Sequence, residues 1–240
     1  MNILITGGAS GLGEAITKRL ASNGENCVYF TYNNSSSNAN NIENSFPNTT
    51  GIPCNFQKSF EIETILNFIE STKLDVLVNN AFSASITQEY FHKIDISVFE
   101  NNFKYSILPV IQITQKAIEF FRKQKFGKII SVLSAYVINT PPKGLSEYVA
   151  AKNYLASLCK SWAIENASFN ITSNCISPSF MRTHLNCDID ERVIEGIIES
   201  NPLKKLLTID EVAESVNFFT TCSQQINGIN HIINSAVNVV

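Results

Sequence analysis

The chain has 240 residues, 44% of them hydrophobic, and a formal net charge of −3, which suits one soluble globule with a single large core. It has no basic surplus and no apolar run near the roughly 20 residues that span a bilayer, so neither a nucleic-acid nor a membrane partner is expected. Six cysteines without a CxxC pair, and a first strand that leaves no room for a signal peptide, predict a reduced, cytoplasmic protein.

Predicted strands and helices alternate along the whole chain. Short apolar runs predict strands at 2–6, 27–32, 51–55, 75–79, 128–133, 171–176 and 229–234. Helical spacing of apolar residues predicts helices at 12–21, 60–69, 96–123, 148–166, 191–199 and 209–220, with Pro109 kinking the third of them. The Asn- and Ser-rich stretch 33–50 is predicted to be a loop with one short, poor helix. This alternation favours an α/β fold, a Rossmann-type doubly wound parallel sheet in three α/β/α layers, with residues 1–240 as a single domain.

A glycine-rich turn follows the first predicted strand. Gly7-Gly8-Ala9-Ser10-Gly11-Leu12-Gly13 stands between that strand and a helical pattern. Glycines allow a tight turn and a close backbone approach, and the start of the helix presents free N–H groups to a pyrophosphate. An ordinary strand-to-helix turn could carry the same glycines, so the pattern needs a second motif beside it.

The second motif is Tyr148-x-x-x-Lys152. Residues four apart share one face of a helix, so the phenol and the ammonium should lie one turn from each other. A nearby ammonium favours the phenolate, and we therefore expect Lys152 to lower the pKa of Tyr148 from its ordinary value of about 10. Such a tyrosine can act as a general acid–base. Taken alone, the pattern is more simply an amphipathic helix.

Together the two motifs resemble the short-chain dehydrogenase/reductase family, in its short, single-domain branch. Thr6-Gly7-x-x-x-Gly11-x-Gly13 matches the family's cofactor motif and Tyr148-x-x-x-Lys152 its catalytic one, in the same order and separation. The resemblance covers nearly the whole chain. It implies an NAD(P)-dependent oxidoreductase that moves a hydride between a nicotinamide cofactor and a small carbonyl or secondary alcohol substrate. It also implies a homodimer or homotetramer and a segment near 183–205 that covers the substrate.

The resemblance extends to individual site residues. Asn79-Asn80-Ala81 is similar to the family's Asn-Asn-Ala motif, and Pro178 and Thr183 to its loop beside the nicotinamide carboxamide. The cofactor-binding residues it implies are Thr6, Gly7, Ser10, Gly11, Leu12, Gly13, Tyr32, Asn33, Asn34, Asn55, Asn80, Ala81, Tyr148, Lys152, Pro178 and Thr183.

The family's catalytic serine lies at the end of the fifth strand and bonds the substrate oxygen, which makes Ser134 the candidate here. It lies 148 − 134 = 14 positions before Tyr148, one more than the commonest family spacing, and the Pro141-Pro142 loop could absorb the insertion. Ser131 is the alternative, but its place inside the strand favours a structural role. Ser106 falls where an asparagine usually anchors the proton-relay water, and a hydroxyl can also bind water.

Several positions depart from the family's pattern. Phe82 and Ser179 replace glycines, Asn55 replaces an aspartate that faces the adenine, and Asn234-Ser235-Ala236 replaces Asp-Gly-Gly. These departures keep open an alternative of another class, a member of the same fold that binds a nucleotide or a partner without turnover.

The choice of cofactor depends on the residues after the second strand. Thr31-Tyr32-Asn33-Asn34-Ser35 contains no acid to bond ribose hydroxyls, as NAD sites do, and no Arg or Lys falls between 22 and 57. Because no carboxylate is present there to repel a 2′-phosphate, this segment slightly favours NADP(H) over NAD(H), with hydroxyl and amide donors around that phosphate. His92, His184 and His231 are isolated from carboxylates and cysteines at ligand spacing, so no metal site is expected.

Overall fold

The described residues of the computed structural model, 1–83, 86–183 and 189–239, contain a sheet of seven parallel strands. The strands are β1 Asn2–Ile5, β2 Cys27–Tyr32, β3 Thr49–Pro53, β4 Val76–Asn79, β5 Gly127–Val132, β6 Ile171–Pro178 and β7 Asn230–Ile233. Their spatial order is β3-β2-β1-β4-β5-β6-β7. The predicted fold class, a Rossmann-type doubly wound parallel sheet, is confirmed.

Helices cover both faces of the sheet. They are α1 Gly11–Ala21, α2 Ser36–Ser45, α3 Ser59–Ser71, α4 Ile96–Asn102, α5 Leu108–Gln124, α6 Ser146–Asn166, α7 Glu191–Ser200 and α8 Ile209–Thr221. On one face α1 packs against α8, while on the other α3 packs against α5 and α6 packs against β6. No helix in the described part of the chain is long and apolar enough to cross a membrane.

The alternation of side chains along the central strands builds a core on each face. Ile3, Leu4 and Ile5 of β1 are all fully buried, but Ile3 and Ile5 belong to the cluster under α1 and α8, whereas Leu4 belongs to the cluster under α3 and α5. A strand buried on both faces reads as a continuous apolar run, which is why the sequence pattern located it.

Two segments differ from the sequence-based expectation. The short helix predicted within 33–50 is present as α2, ten residues long, but the strand predicted at 51–55 is Thr49–Pro53, because Thr49 is buried and pairs with Val28. The long helix predicted over 96–123 is divided into α4, a π-helical turn at Phe103–Ile107, and α5. Pro109 lies in the first turn of α5, directly after the π-helical turn, so it marks the place where the helical hydrogen-bond pattern changes.

The order of the strands reverses direction between β1 and β4. Chain connections from β1 lead outward through β2 to β3, and those from β4 lead the other way through β5 and β6. In an open α/β sheet the crevice at such a switch point, beyond the carboxyl ends of the strands, is where ligands bind. The glycine turn after β1 and the segments after β4 and β5 meet at this crevice.

Candidate active site

The turn between β1 and α1 has a backbone shape that requires glycine. Gly7 and Gly11 have φ angles of 68° and 52°, which side chains with a Cβ rarely adopt. A Cβ on Gly13 would lie 1.9 Å from the Gly7 carbonyl oxygen and 2.7 Å from Asn80 Nδ2. The Gly7 N–H donates to Thr31 Oγ1 at 2.9 Å, so β2 holds the turn in place.

The start of α1 offers backbone donors to a ligand. Ser10 makes no side-chain cap, and the first hydrogen bond of the helix runs from Glu14 N to the Ser10 carbonyl at 3.2 Å. The N–H groups of Gly11, Leu12 and Gly13 therefore lack the intrahelical partner that later residues have. Free N–H groups and the positive end of the helix dipole fit a pyrophosphate.

Thr6 and Asn80 brace this turn against the end of β4. Thr6 Oγ1 accepts hydrogen bonds from the N–H groups of Asn80 and Ala81, at 3.0 and 3.1 Å. Asn80 Nδ2 donates to the carbonyl oxygens of Thr6 and Gly7, at 3.0 and 3.1 Å. Thr6 is fully buried and does not line the cavity described below, so its contribution is to shape the turn.

Ser134, Tyr148 and Lys152 meet on the opposite wall. Ser134 follows β5, and its hydroxyl is near enough to the phenol of Tyr148, in the first turn of α6, to lower the pKa of that phenol. Lys152 lies one helical turn further along, and its Nζ donates to the Val132 carbonyl at 3.0 Å. Ser131, the alternative serine, is buried inside β5 and does not line the cavity.

Burial shifts the pKa values of both Tyr148 and Lys152. Desolvation raises the pKa of Tyr148 to about 12, and the Ser134 hydroxyl opposes that rise only in part. Desolvation also lowers the pKa of Lys152 to about 8. The expected lowering of the tyrosine pKa by Lys152 is therefore wrong for this structure. The Lys152 ammonium lies 5.8 Å from the centre of the Tyr148 ring and itself carries a desolvation cost.

Phe82 lies against both of these side chains. Its ring meets the Tyr148 ring edge to face, with centroids 5.3 Å apart and planes at 80°. The Lys152 ammonium lies 5.1 Å from the centre of the Phe82 ring, within the range of a cation–π contact.

These walls enclose one cavity of about 940 Å³. Among the predicted site residues, those that line it are Gly7, Ser10, Gly11, Leu12, Gly13, Tyr32, Asn33, Asn34, Asn55, Asn80, Ala81, Ser134, Tyr148, Lys152, Pro178 and Thr183. Thr6 and Ser106 are not among the lining residues. Ser106 is buried in the π-helical turn, where its Oγ accepts the Ser83 N–H at 3.1 Å. The structure places it behind the cavity wall and not in the cavity.

Most of the apolar residues that line the cavity were not predicted from the sequence. Ile86, Tyr136, Leu145, Phe180, Val193 and Ile197 all line the cavity. Only the last two carried a usable signal, since Val193 and Ile197 are four apart on the amphipathic α7. His184 and Cys187 lie outside the described residues. Within those residues no group of three or more His, Cys, Asp or Glu side chains could hold a metal ion.

Comparison with known proteins agrees with this geometry. A family model for short chain dehydrogenases matches residues 1–193. The chain belongs to this family. A curated relative, the 3-oxoacyl-(acyl-carrier-protein) reductase MabA of Mycobacterium bovis, is 26% identical over 231 residues, covering 92% of this chain and 85% of that protein. The mitochondrial borneol dehydrogenase of Lavandula x intermedia is 28% identical over 243 residues, covering 99% of this chain and 90% of that protein.

A solved structure shares the fold over the whole chain. The 3-ketoacyl-(acyl-carrier-protein) reductase from Brucella melitensis, complexed with NADH, superposes with a TM-score of 0.89 at 23% identity, covering 99% of this chain and 98% of that one. As a member of the short chain dehydrogenases, this protein is an NAD(P)-dependent oxidoreductase that transfers a hydride between a nicotinamide cofactor and a carbonyl or secondary alcohol.

Proposed function

We propose that the protein reduces an apolar ketone with NADPH, and that Tyr148, Ser134 and Lys152 are its catalytic residues. The observation that supports this most is that the Ser134 hydroxyl and the Tyr148 phenol both line the cavity, near enough for the serine to lower the pKa of the phenol, with Lys152 one helical turn away. Two hydroxyl donors side by side can both address one substrate oxygen.

Each of the three residues would have its own role. When bound, the nicotinamide cofactor supplies the hydride. Ser134 donates a hydrogen bond to the substrate carbonyl oxygen, and Tyr148 gives its phenolic proton to that oxygen as negative charge develops on it. The pKa of about 12 favours this direction, because it keeps the phenol protonated at neutral pH. Lys152 balances the phenolate that is left and binds the cofactor's ribose.

The end of the cavity near β2 fits a dinucleotide that carries a 2′-phosphate. Asn33, Asn34 and Ser35 line it with Ser10, and the described lining residues that follow β2 and β3 include no carboxylate to repel the phosphate. Amide and hydroxyl donors are available there, which supports NADP(H) over NAD(H). Asn55 Oδ1 is already used as the acceptor for the Gln57 N–H, at 2.9 Å.

The wall around Tyr148 supports an apolar substrate. Ile86, Leu145, Phe180, Val193 and Ile197 line the cavity with Phe82, and Gln88, Lys143, Ser179 and Asp190 add polar groups to the lining. The apolar groups favour an alicyclic or acyl ketone over a sugar, whose hydroxyl groups would lack partners wherever they met them. Val193 and Ile197 stand on α7, which supports the proposal that the segment near 183–205 covers the substrate. Residues 184–188 of that segment lie outside the described part.

We infer the wider organisation from the same features. One continuous sheet supports a single domain over residues 1–240, and a cytoplasmic location agrees with the five described cysteines, which are all free thiols.

A homodimer or homotetramer is supported by exposed aromatic surface on the α4–α6 side. There Phe103 and Tyr154 are 44% and 45% exposed and meet edge to face at 5.6 Å. Sedimentation of wild type and Tyr154→Asp tests this, because a monomeric wild type would contradict it.

Cofactor titration tests the catalytic proposal. Wild type and Tyr148→Phe are titrated with NADPH and NADH by nicotinamide fluorescence, and both are then assayed on ketones such as camphor beside a ketose. We expect NADPH to bind both proteins more tightly than NADH, and only wild type to turn over, with the apolar ketone. Binding without turnover in wild type would favour the non-catalytic alternative. Equal turnover by Tyr148→Phe would remove the tyrosine from the mechanism.

A further inference from the structure

The Lys152 ammonium is buried with little polar company. Its side chain is part of a residue only 5% exposed, and the Val132 carbonyl accepts one of its three N–H donors. No ion pair with a carboxylate is formed by Lys152 among the described residues. Two aromatic rings lie near the ammonium, with the Phe82 ring centre at 5.1 Å and the Tyr148 ring centre at 5.8 Å.

The backbone on both sides of Phe82 is fixed. The Ala81 N–H donates to Thr6 Oγ1 at 3.1 Å, and the Ser83 N–H donates to Ser106 Oγ at 3.1 Å. Both acceptors are buried, and one follows β1 while the other lies in the π-helical turn. Because the ring also packs edge to face on Tyr148, it has a defined place over the Lys152 ammonium.

We propose that Phe82 is a positioning residue for Lys152, whose buried ammonium it keeps charged and close to Tyr148 through a cation–π contact. Phe82 thus does for the ammonium what a carboxylate partner would do elsewhere, without adding a negative charge beside the phenol. Ser106 supports Phe82 by accepting the hydrogen bond of the Ser83 amide. Phe82 and Ser106, which both depart from the family's pattern, therefore act together. The proposal rests on the catalytic roles proposed above for Lys152 and Tyr148.

The other titratable groups around Lys152 are few. On α6 these are Tyr148 and Cys159, whose thiol interacts electrostatically with the ammonium. Tyr136, after β5, interacts electrostatically with Tyr148, and Cys175 on β6 influences the pKa of Cys159. A substitution at Phe82 replaces none of these groups, and its effect on Tyr148, which the ring contacts, is shared by Phe82→Leu and followed separately by Phe82→Tyr, which keeps the ring.

Titration of Lys152 itself gives a test that does not need turnover. Protein labelled with ¹³C at lysine Cε is followed by NMR from pH 6 to 10, and the Lys152 signal is assigned as the one missing in Lys152→Met. In Phe82→Leu we expect its midpoint to fall by about one pH unit, a tenfold loss of proton affinity, which is the scale of a desolvated cation–π contact. Phe82→Tyr keeps a ring and should keep the midpoint. Phe180→Leu, a change elsewhere in the cavity wall, is the matched control.

The direction in which the Lys152 titration midpoint shifts distinguishes two roles for the Phe82 ring. If Phe82 only excluded water, the smaller leucine would admit water and the midpoint would rise toward that of a free lysine. A rise, or no change, overturns the proposal. In kinetics the proposal expects Phe82→Leu to lower kcat about tenfold with little effect on KM, and Phe82→Tyr to restore it. A wild type without turnover would defeat the proposed function, whereas an active wild type with an unchanged Lys152 midpoint in Phe82→Leu would defeat this inference alone.

Discussion

Replacing Lys152 with methionine is expected to stabilise the fold at neutral pH while abolishing turnover. Burial lowers the pKa of this lysine from 10.5 to about 8, so at pH 7 the folded state carries the charge at a cost of roughly 3 kcal/mol relative to the unfolded chain. Methionine is similar in size and removes that cost. It also leaves the Val132 carbonyl without its donor, which costs about 1–2 kcal/mol, so the net gain is about 1–2 kcal/mol.

The dependence on pH of the stability difference between wild type and Lys152→Met tests the same prediction independently. Between pH 8 and 10.5 the unfolded chain binds one more proton at Lys152 than the folded chain does, so the stability of wild type rises with pH in this window. The variant lacks this term, and its advantage should shrink by about 1.4 kcal/mol per pH unit above pH 8. The raised pKa of Tyr148 is common to both proteins and cancels in the comparison.

Urea unfolding followed by the fluorescence of Trp162, the single tryptophan, measures both quantities. Lys128→Met is the matched control. Lys128 is also buried, but its Nζ donates to the Phe219 carbonyl at 3.4 Å and to the Cys222 carbonyl at the end of α8. Removing it takes a charged donor from both carbonyls, of which only that of Phe219 keeps another donor, the Cys222 thiol at 3.6 Å, and should destabilise the protein by about 1–3 kcal/mol. The reasoning about Lys152 is refuted if Lys152→Met is less stable than wild type at pH 7, or if the difference does not depend on pH.

Two further substitutions test the geometry of the cavity. Gly13→Ala places a methyl group 1.9 Å from the Gly7 carbonyl and should weaken NADPH binding at least tenfold in a fluorescence titration, whereas Gly24→Ala, with open space around it, should bind as wild type does. Glu147→Ala removes the carboxylate that accepts from Thr87 N and Oγ1 at 3.0 and 2.9 Å. It should raise KM for the ketone about three- to tenfold with a smaller change in kcat, and Glu147→Gln should stay close to wild type.

The fold could be predicted from the sequence wherever burial leaves a regular pattern. Val76, Leu77 and Val78 of β4 are fully buried on both faces, so they appear in the sequence as an uninterrupted apolar run. α2 has a weaker pattern, because only Ala39 and Ile42 of its ten residues are buried. The sequence therefore predicted a short, poor helix there but not its length.

The site could be predicted where one residue type is the only one that fits. Gly13 is such a residue, because any Cβ there would meet backbone. The role of Ser106 could not be predicted, since it depends on which side of the π-helical turn faces the cavity and on an acceptor needed by the Ser83 amide. The direction of the Tyr148 pKa shift could not be predicted either. Spacing on a helix indicates how near an ammonium is, but not how deeply the two groups are buried.

The two buried lysines show how the structure separates a functional charge from a structural one. Lys128 directs its donors at the carbonyls that end α8, where a cation is favoured by unpaired acceptors and by the helix dipole. Lys152 has one carbonyl, two aromatic rings and the wall of a cavity around it. Its burial costs free energy that no neighbouring carboxylate offsets within the described residues. A fold can retain such a charge only if other contacts make up the difference, and strongly perturbed groups of this kind cluster at functional sites. Burial lowers the pKa of both lysines, but Lys128 has two carbonyls and the Cys222 thiol as acceptors, whereas Lys152 has one carbonyl and lies at the cavity.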